Sequence, residues 1–237
     1  MKRPTTEGVG RLRLKDPAFI APGPEPSPDC VRCPRLVAFR GENVVLEPSW
    51  FNAPVPSFGA DAAEFLIVGL APGLRGANRT GRPFTGDFAG DLLYETMLEH
   101  GFAEGAYAAH IGDGLELRGA MITNSVRCVP PENRPTGGEI MACQPFLVKR
   151  LATLPRLRAI LALGRIAHDS TVQALGARKP SHPFKHGARH DIARPGGGTV
   201  ALFDSYHCSR YNTNTGRLTP AMFQTVFRDI RAFLDGV

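Results

Sequence analysis

Phe65-Leu66-Ile67-Val68-Gly69-Leu70-Ala71-Pro72-Gly73 decides the fold. Its first half is a short, uninterrupted apolar run. Such a run suits a strand buried on both faces, and strands of that kind belong to parallel sheets covered by helices. Its second half turns sharply, and the two glycines and the proline let backbone approach a ligand closely. A long polar excursion follows, Gly76-Ala77-Asn78-Arg79-Thr80-Gly81-Arg82-Pro83-Phe84-Thr85-Gly86-Asp87. Apolar residues then recur at helical spacing (Phe88, Leu92, Leu93, Met97, Leu98) until Gly101. No Gly-Lys-Ser/Thr precedes that helix, which disfavours a nucleoside-triphosphate loop.

The alternation repeats toward the C-terminus. Residues 120–123, 157–163 and 199–203 read as three further strands. Thr136-Gly137-Gly138-Glu139 is a capping-box signature that opens a helix toward Leu151. Gly164 leads into a helix ending near Gly176, and Thr219-Pro220 supplies a cap and a first-turn proline for a last helix to about Asp235. Residues 101–119 and 177–198 read as Gly-rich connections. The expectation is a three-layer α/β/α fold around a central four-stranded parallel sheet. Residues 1–28, Pro-rich and aperiodic, predict a loose, disordered tail; residues 29–237 predict a single domain.

In sheets of this type, ligands bind beyond the carboxyl ends of the strands. That rule selects residues 69–87, 124–134, 164–165 and 205–209, where the unusual polar and glycine residues of the chain collect. The first of these stretches offers one aromatic face (Phe84), two arginines and a carboxylate. Asp87 stands where a helix cap belongs, so capping and chemistry are both open to it. His207, in Ser205-Tyr206-His207-Cys208-Ser209, follows the last strand and precedes a polar loop.

Cys30-x2-Cys33 and Cys128-x14-Cys143 form two sequence-distant pairs suited to a metal centre, either structural zinc or an iron–sulfur cluster. Zinc folds usually repeat the short knuckle, which the second pair does not. A fifth thiol, Cys208, is remote from both pairs and reads as a non-ligand. The odd count and the charged start Met1-Lys2-Arg3-Pro4 disfavour disulfides and secretion, so a cytoplasmic location is expected. No apolar run approaches the ~20 residues that span a bilayer. Net charge is +6, and only five of 28 basic residues are lysine. Arginine forks suit phosphate oxygens, which favours a nucleic-acid partner.

With these residues in view, the chain resembles the iron–sulfur branch of the uracil-DNA glycosylase superfamily, and most nearly its broad-specificity family 5, or type B. Gly69–Gly73 is similar to the first motif of that family, and residues 78–87 to its signature extension. His207-Cys208-Ser209 and the polar stretch after it are similar to the second motif. The resemblance implies a [4Fe–4S] cluster on Cys30, Cys33, Cys128 and Cys143. It implies a monomer that excises uracil, and other deaminated bases such as hypoxanthine and xanthine, from DNA by hydrolysis. Gly69, Leu70, Ala71, Pro72 and Gly73 would line the base site, and Phe84 would stack the flipped base. His207 would donate to a base carbonyl, Asp87 would act on water, and Asn133 would position water or DNA. Arg79, Arg82, Arg210 and Arg217 fall in loops at the expected active face, where they would contact phosphates or enter the gap left by a flipped base. Asn124 stands where the uracil-reading sister type carries Asn and type B relatives often carry a small residue. A non-enzymatic iron–sulfur DNA-binding protein, or a zinc-stabilised hydrolase, would share much of this pattern.

Overall fold

The computed structural model describes residues 23–237. Four parallel strands form its centre: β2 (Phe65–Gly69), β5 (Ala120–Asn124), β6 (Ala159–Leu163) and β8 (Thr199–Ser205). Two antiparallel edge strands, β1 (Phe58–Gly59) and β7 (Arg189–Ala193), complete a six-stranded sheet in the order β1-β5-β2-β6-β8-β7. The expected four-stranded parallel core is present, with these two edges added.

Alternation along β2 builds both layers, because successive side chains point to opposite faces. Phe65 and Ile67 pack against α3 (Phe88–Glu99) and α7 (Pro220–Asp235) through Leu93, Met97, Phe223, Phe227 and Ile230. Leu66 and Val68 face the other way, toward α4 (Gly137–Ala152) and α5 (Arg165–Ala174), meeting Leu147, Leu151, Ala167 and Val172. Thr136 and Glu139 form the expected reciprocal cap of α4, and Thr219 caps α7.

Several elements depart from the sequence expectation, among them two short helices, α2 (Ala77–Thr80) and α6 (Arg210–Asn214), in stretches read as loops. Residues 101–119 contain a two-stranded ladder of β3 (Ala103–Glu104) and β4 (Glu116–Leu117), and residues 177–198 contain β7. Only Ile192 of β7 is buried, so no apolar run announces that strand. Helix α1 (Pro34–Leu46) was also silent, because two of its three buried residues, Leu36, Arg40 and Asn43, are polar. Residues 1–22 of the expected tail lie outside the described residues. Residues 23–28 do not behave as a loose tail: Glu25 accepts from Arg127 Nη1 at 2.7 Å, Arg150 Nη2 at 2.5 Å and Ser57 N at 3.0 Å.

Candidate active site

Register sets the pocket. Gly69 pairs with Asn124 at the carboxyl ends of β2 and β5, and Leu163 pairs with Ser205 at the ends of β6 and β8. The loops leaving these ends therefore converge on one side of the sheet. Gly69 must be glycine, since a Cβ there would stand 2.7 Å from the Phe84 ring and run into Asn124 Oδ1. Beyond it, the backbone carbonyls of Gly69 and Leu70 are held by the Ser125 and Val126 amides at 2.9 Å.

A cavity of about 350 Å³ opens here. Leu70, Ala71, Pro72, Gly73, Phe84, Asp87, Asn124, Asn133, His207 and Arg210 all line it, with Ser209 of the second motif, joined by Phe88 and Ala89, which the sequence did not place there. Phe84 and His207 stack with ring centroids 5.8 Å apart. No described residue hydrogen-bonds the His207 ring. Burial pushes its pKa down to about 4, so the imidazole is neutral at ordinary pH and keeps one N–H to offer. Asp87 does cap α3, with Oδ1 accepting from Gly90 N at 3.2 Å. Its other oxygen faces the first motif, where a Cβ at Gly73 would stand 3.0 Å from it. Burial raises the Asp87 pKa, against the pull of the Gly90 and Ala89 amides. One oxygen of this carboxylate therefore caps the helix while the other faces the first motif. Asn124 Oδ1 is buried without a hydrogen-bond partner among the described residues. Asn133 stands at the rim with φ 56°, directly after Glu132 at φ 55°. Two successive left-handed non-glycine residues are uncommon and mark a constrained turn.

The four arginines separate. Arg79, Arg210 and Arg217 are exposed, and Arg210 and Arg217 lie over the Phe88 and Tyr206 rings at 5.2 and 4.6 Å. Arg82 corrects the expectation of a DNA contact, for its side chain is only 6% exposed. Its guanidinium donates to both oxygens of Asp113 at 2.9 and 2.7 Å and to Thr85 Oγ1 at 2.7 Å. Tyr94 OH donates to the Pro83 carbonyl at 2.6 Å, and Tyr107 OH to that of Phe84 at 3.3 Å. These bonds clamp both sides of Phe84, whose φ of 53° is unfavourable for a bulky residue. Asp113→Ala would leave Arg82 buried without its counter-charge, and a loss of about 3–5 kcal/mol is expected in denaturant unfolding. Arg82 holds the Asp113 carboxyl well below the usual range. This stabilisation is complete above the unfolded-state value and should fade as pH falls through the acid range; an Asp113→Asn protein should lack that acid dependence.

Cys30, Cys33, Cys128 and Cys143 line one small cavity between α1, α4 and the end of β5, and all are free thiols. Arg127 N donates to Cys143 Sγ at 3.4 Å, and Arg40 Nη1 lies 3.6 Å from Cys128 Sγ. Burial pushes Cys128 up to about 12 and Cys143 up to about 11, so metal binding there would expel protons. Cys208 lies outside this group, its thiol donating to the Ala89 carbonyl at 3.3 Å.

A doubly covered parallel sheet with a base-sized pocket at its carboxyl edge, ringed by an aromatic, a carboxylate and a neutral histidine, defines a class. The uracil DNA glycosylase superfamily model matches residues 56–231, and the chain belongs to that superfamily. Within it, the chain is 46% identical over 208 residues to the type-5 uracil-DNA glycosylase of Thermus thermophilus, covering 85% of this chain and 92% of that protein. It is 39% identical to the type-5 enzyme of Pyrobaculum aerophilum, over 84% of this chain and 87% of that protein. A type-4 uracil-DNA glycosylase of Pyrobaculum aerophilum is more distant, 34% identical over 65% of this chain and 70% of that protein.

Proposed function

We propose that this chain excises uracil from DNA as a monofunctional glycosidase, leaving an abasic site. The observation that carries the reading is the single pocket in which Phe84, Asp87, Asn124 and His207 meet. A base taken out of the stack must be held by its face and its edge, and it leaves as an anion. Phe84 supplies the face. Neutral His207 donates to the carbonyl oxygen on which negative charge grows, and Asp87 orients water or steadies the cationic sugar. Asn133 at the rim positions water or the strand. Arg79, Arg210 and Arg217 hold phosphates around the opening.

The unpartnered Asn124 Oδ1 matches the imide N–H of uracil, and also the N–H beside a carbonyl in hypoxanthine and xanthine. The substrate range therefore extends to those bases, with uracil ahead because the amide reads its compact edge. An excision panel of the three bases in single- and double-stranded oligonucleotides tests this. Wild type should release uracil fastest, and Asn124→Ala should lose about five- to tenfold on uracil, the worth of one net hydrogen bond. Absence of uracil release would sink the assignment.

We also infer a [4Fe–4S] cluster on Cys30, Cys33, Cys128 and Cys143. The four thiols come from two sequence-distant pairs and line one small cavity. An iron–sulfur cluster takes four thiolates of this kind, one to each iron. Such a group would serve as a cross-link, tying α1 and α4 to the loop after β5. The chain would act as a monomer on DNA, inside the cell. Among the described residues, no helix is long and apolar enough to cross a membrane.

A further inference from the structure

Beside the pocket, histidines gather about one buried aspartate on the last parallel strand. Asp204 of β8 and His168 of α5 are both fully buried. His168 Nδ1 lies 2.7 Å from Asp204 Oδ1, and Nε2 lies 2.8 Å from the His182 carbonyl oxygen. A neutral imidazole has one N–H, yet a carbonyl and a carboxylate both only accept. Keeping both short contacts therefore requires one extra proton shared by the His168–Asp204 pair. Asp204 Oδ2 accepts from Lys185 N at 3.3 Å, which favours the carboxylate–imidazolium form. His168, His190 and Asp204 present atoms within 4.8 Å of one another. The 2.7 Å contact is nevertheless a hydrogen bond, shorter than the ~3.4 Å that separates two ligands of one tetrahedral ion.

The pair sits three residues before His207 and is wired to that strand end. Asp204 N donates to the Ala188 carbonyl at 3.0 Å, and Gly187 N donates to that of Asp204 at 2.9 Å. Tyr206 N donates to His186 Nδ1 at 3.2 Å, and the two rings stack 4.9 Å apart. From the other side, His168 N donates to the Gly164 carbonyl at 3.0 Å, and Gly164 N to that of Ser205 at 2.8 Å. A Cβ on Gly164 would touch His207 Cβ at 3.6 Å.

We propose that the proton-sharing His168–Asp204 pair is a positioning device for His207, holding the end of β8 and the 182–190 segment in the geometry that excision needs. The proposal rests on His207 serving the departing base. Few charged groups face the pair. His190 Nε2 stands 3.5 Å from Asp204 Oδ2, and His186 feels the same carboxylate. On α5, Asp169 lies next to His168 and is itself paired with Lys179 at 3.8 Å. Burial works against charge on His168, but Asp204 outweighs it and raises its pKa. The device is thus intact below the ordinary histidine range and is lost as pH rises through the raised value.

Asp204→Asn separates proton from packing. Its amide can donate to a neutral His168 Nδ1 while its oxygen accepts from Lys185 N, so every hydrogen bond survives without the shared proton. Single-turnover uracil release should be followed against pH for wild type, Asp204→Asn and His168→Gln, with imidazole proton NMR on the first two. Wild type should show two slowly exchanging ring N–H protons on His168 and a rate that falls on the alkaline side. Asp204→Asn should keep the neutral-pH rate within about threefold, show one ring N–H, and lose that alkaline fall. His168→Gln should cost ~10-fold or more through misplacement of His207. One ring N–H in wild type, or superimposable pH profiles for wild type and Asp204→Asn, would overturn this proposal alone. No uracil release by wild type would overturn the glycosylase reading, and this proposal with it.

Discussion

His207→Ala and Asp87→Asn are each expected to slow uracil release by ~10²–10³-fold under single-turnover conditions, with affinity for abasic DNA nearly unchanged. The reasoning is electrostatic. As the glycosidic bond breaks, the base becomes anionic and the sugar cationic, so opposite charges must be stabilised within one small pocket. His207 and Asp87 both line that pocket. Their environments push them in useful directions: burial keeps His207 neutral down to about pH 4, and burial raises Asp87 above its ordinary range. If Asp87 acts as the carboxylate, the rate should fall on acidification at a higher pH than for an ordinary aspartate, and Asp87→Asn should lack that limb. Asp87 also caps α3, so the melting temperature must be read beside the rate. A full excision rate with a lowered melting temperature would leave Asp87 as a cap alone, and Asn133 would inherit the water.

Cys128→Ser or Cys143→Ser should have the largest effect on folding. Protein purified without oxygen should be brown, with about four irons per chain. Either substitution should abolish the colour and cost about 4 kcal/mol or more, because losing a metal cross-link ranks among the most damaging changes. Cys208→Ser, remote from the cavity, should leave colour and iron content intact. A colourless, fully folded wild type with one zinc would defeat the cluster without touching the glycosylase assignment.

Most of the pocket was legible in the chain because strand ends announce themselves. Apolar runs that end by Gly69, Thr123, Leu163 and Phe203 mark where loops must gather, and polar residues just beyond them had nowhere else to go. Arg82 misled for a definite reason. An arginine between glycines in a polar loop looks solvent-bound, but its partner Asp113 lies in a Gly-rich stretch without periodicity, so nothing local reveals the pair. Helix α1 was hidden by its polar inner face, and β7 by having one buried residue. The protonation of His168 was beyond reach of sequence, since it depends on a carbonyl contributed by a loop fourteen residues away.

Glu25 carries a practical consequence for anyone trimming this chain. The Pro-rich composition around it invites a cut just ahead of Cys30. Such a cut would strand Arg127, 1% exposed, and remove one of the two acids that Arg150 holds. Arg127 directly precedes Cys128 and donates its own amide N–H to Cys143 Sγ. Shortened versions should therefore begin ahead of Pro24, and loss of colour after a deeper cut would report an orphaned guanidinium rather than a missing ligand.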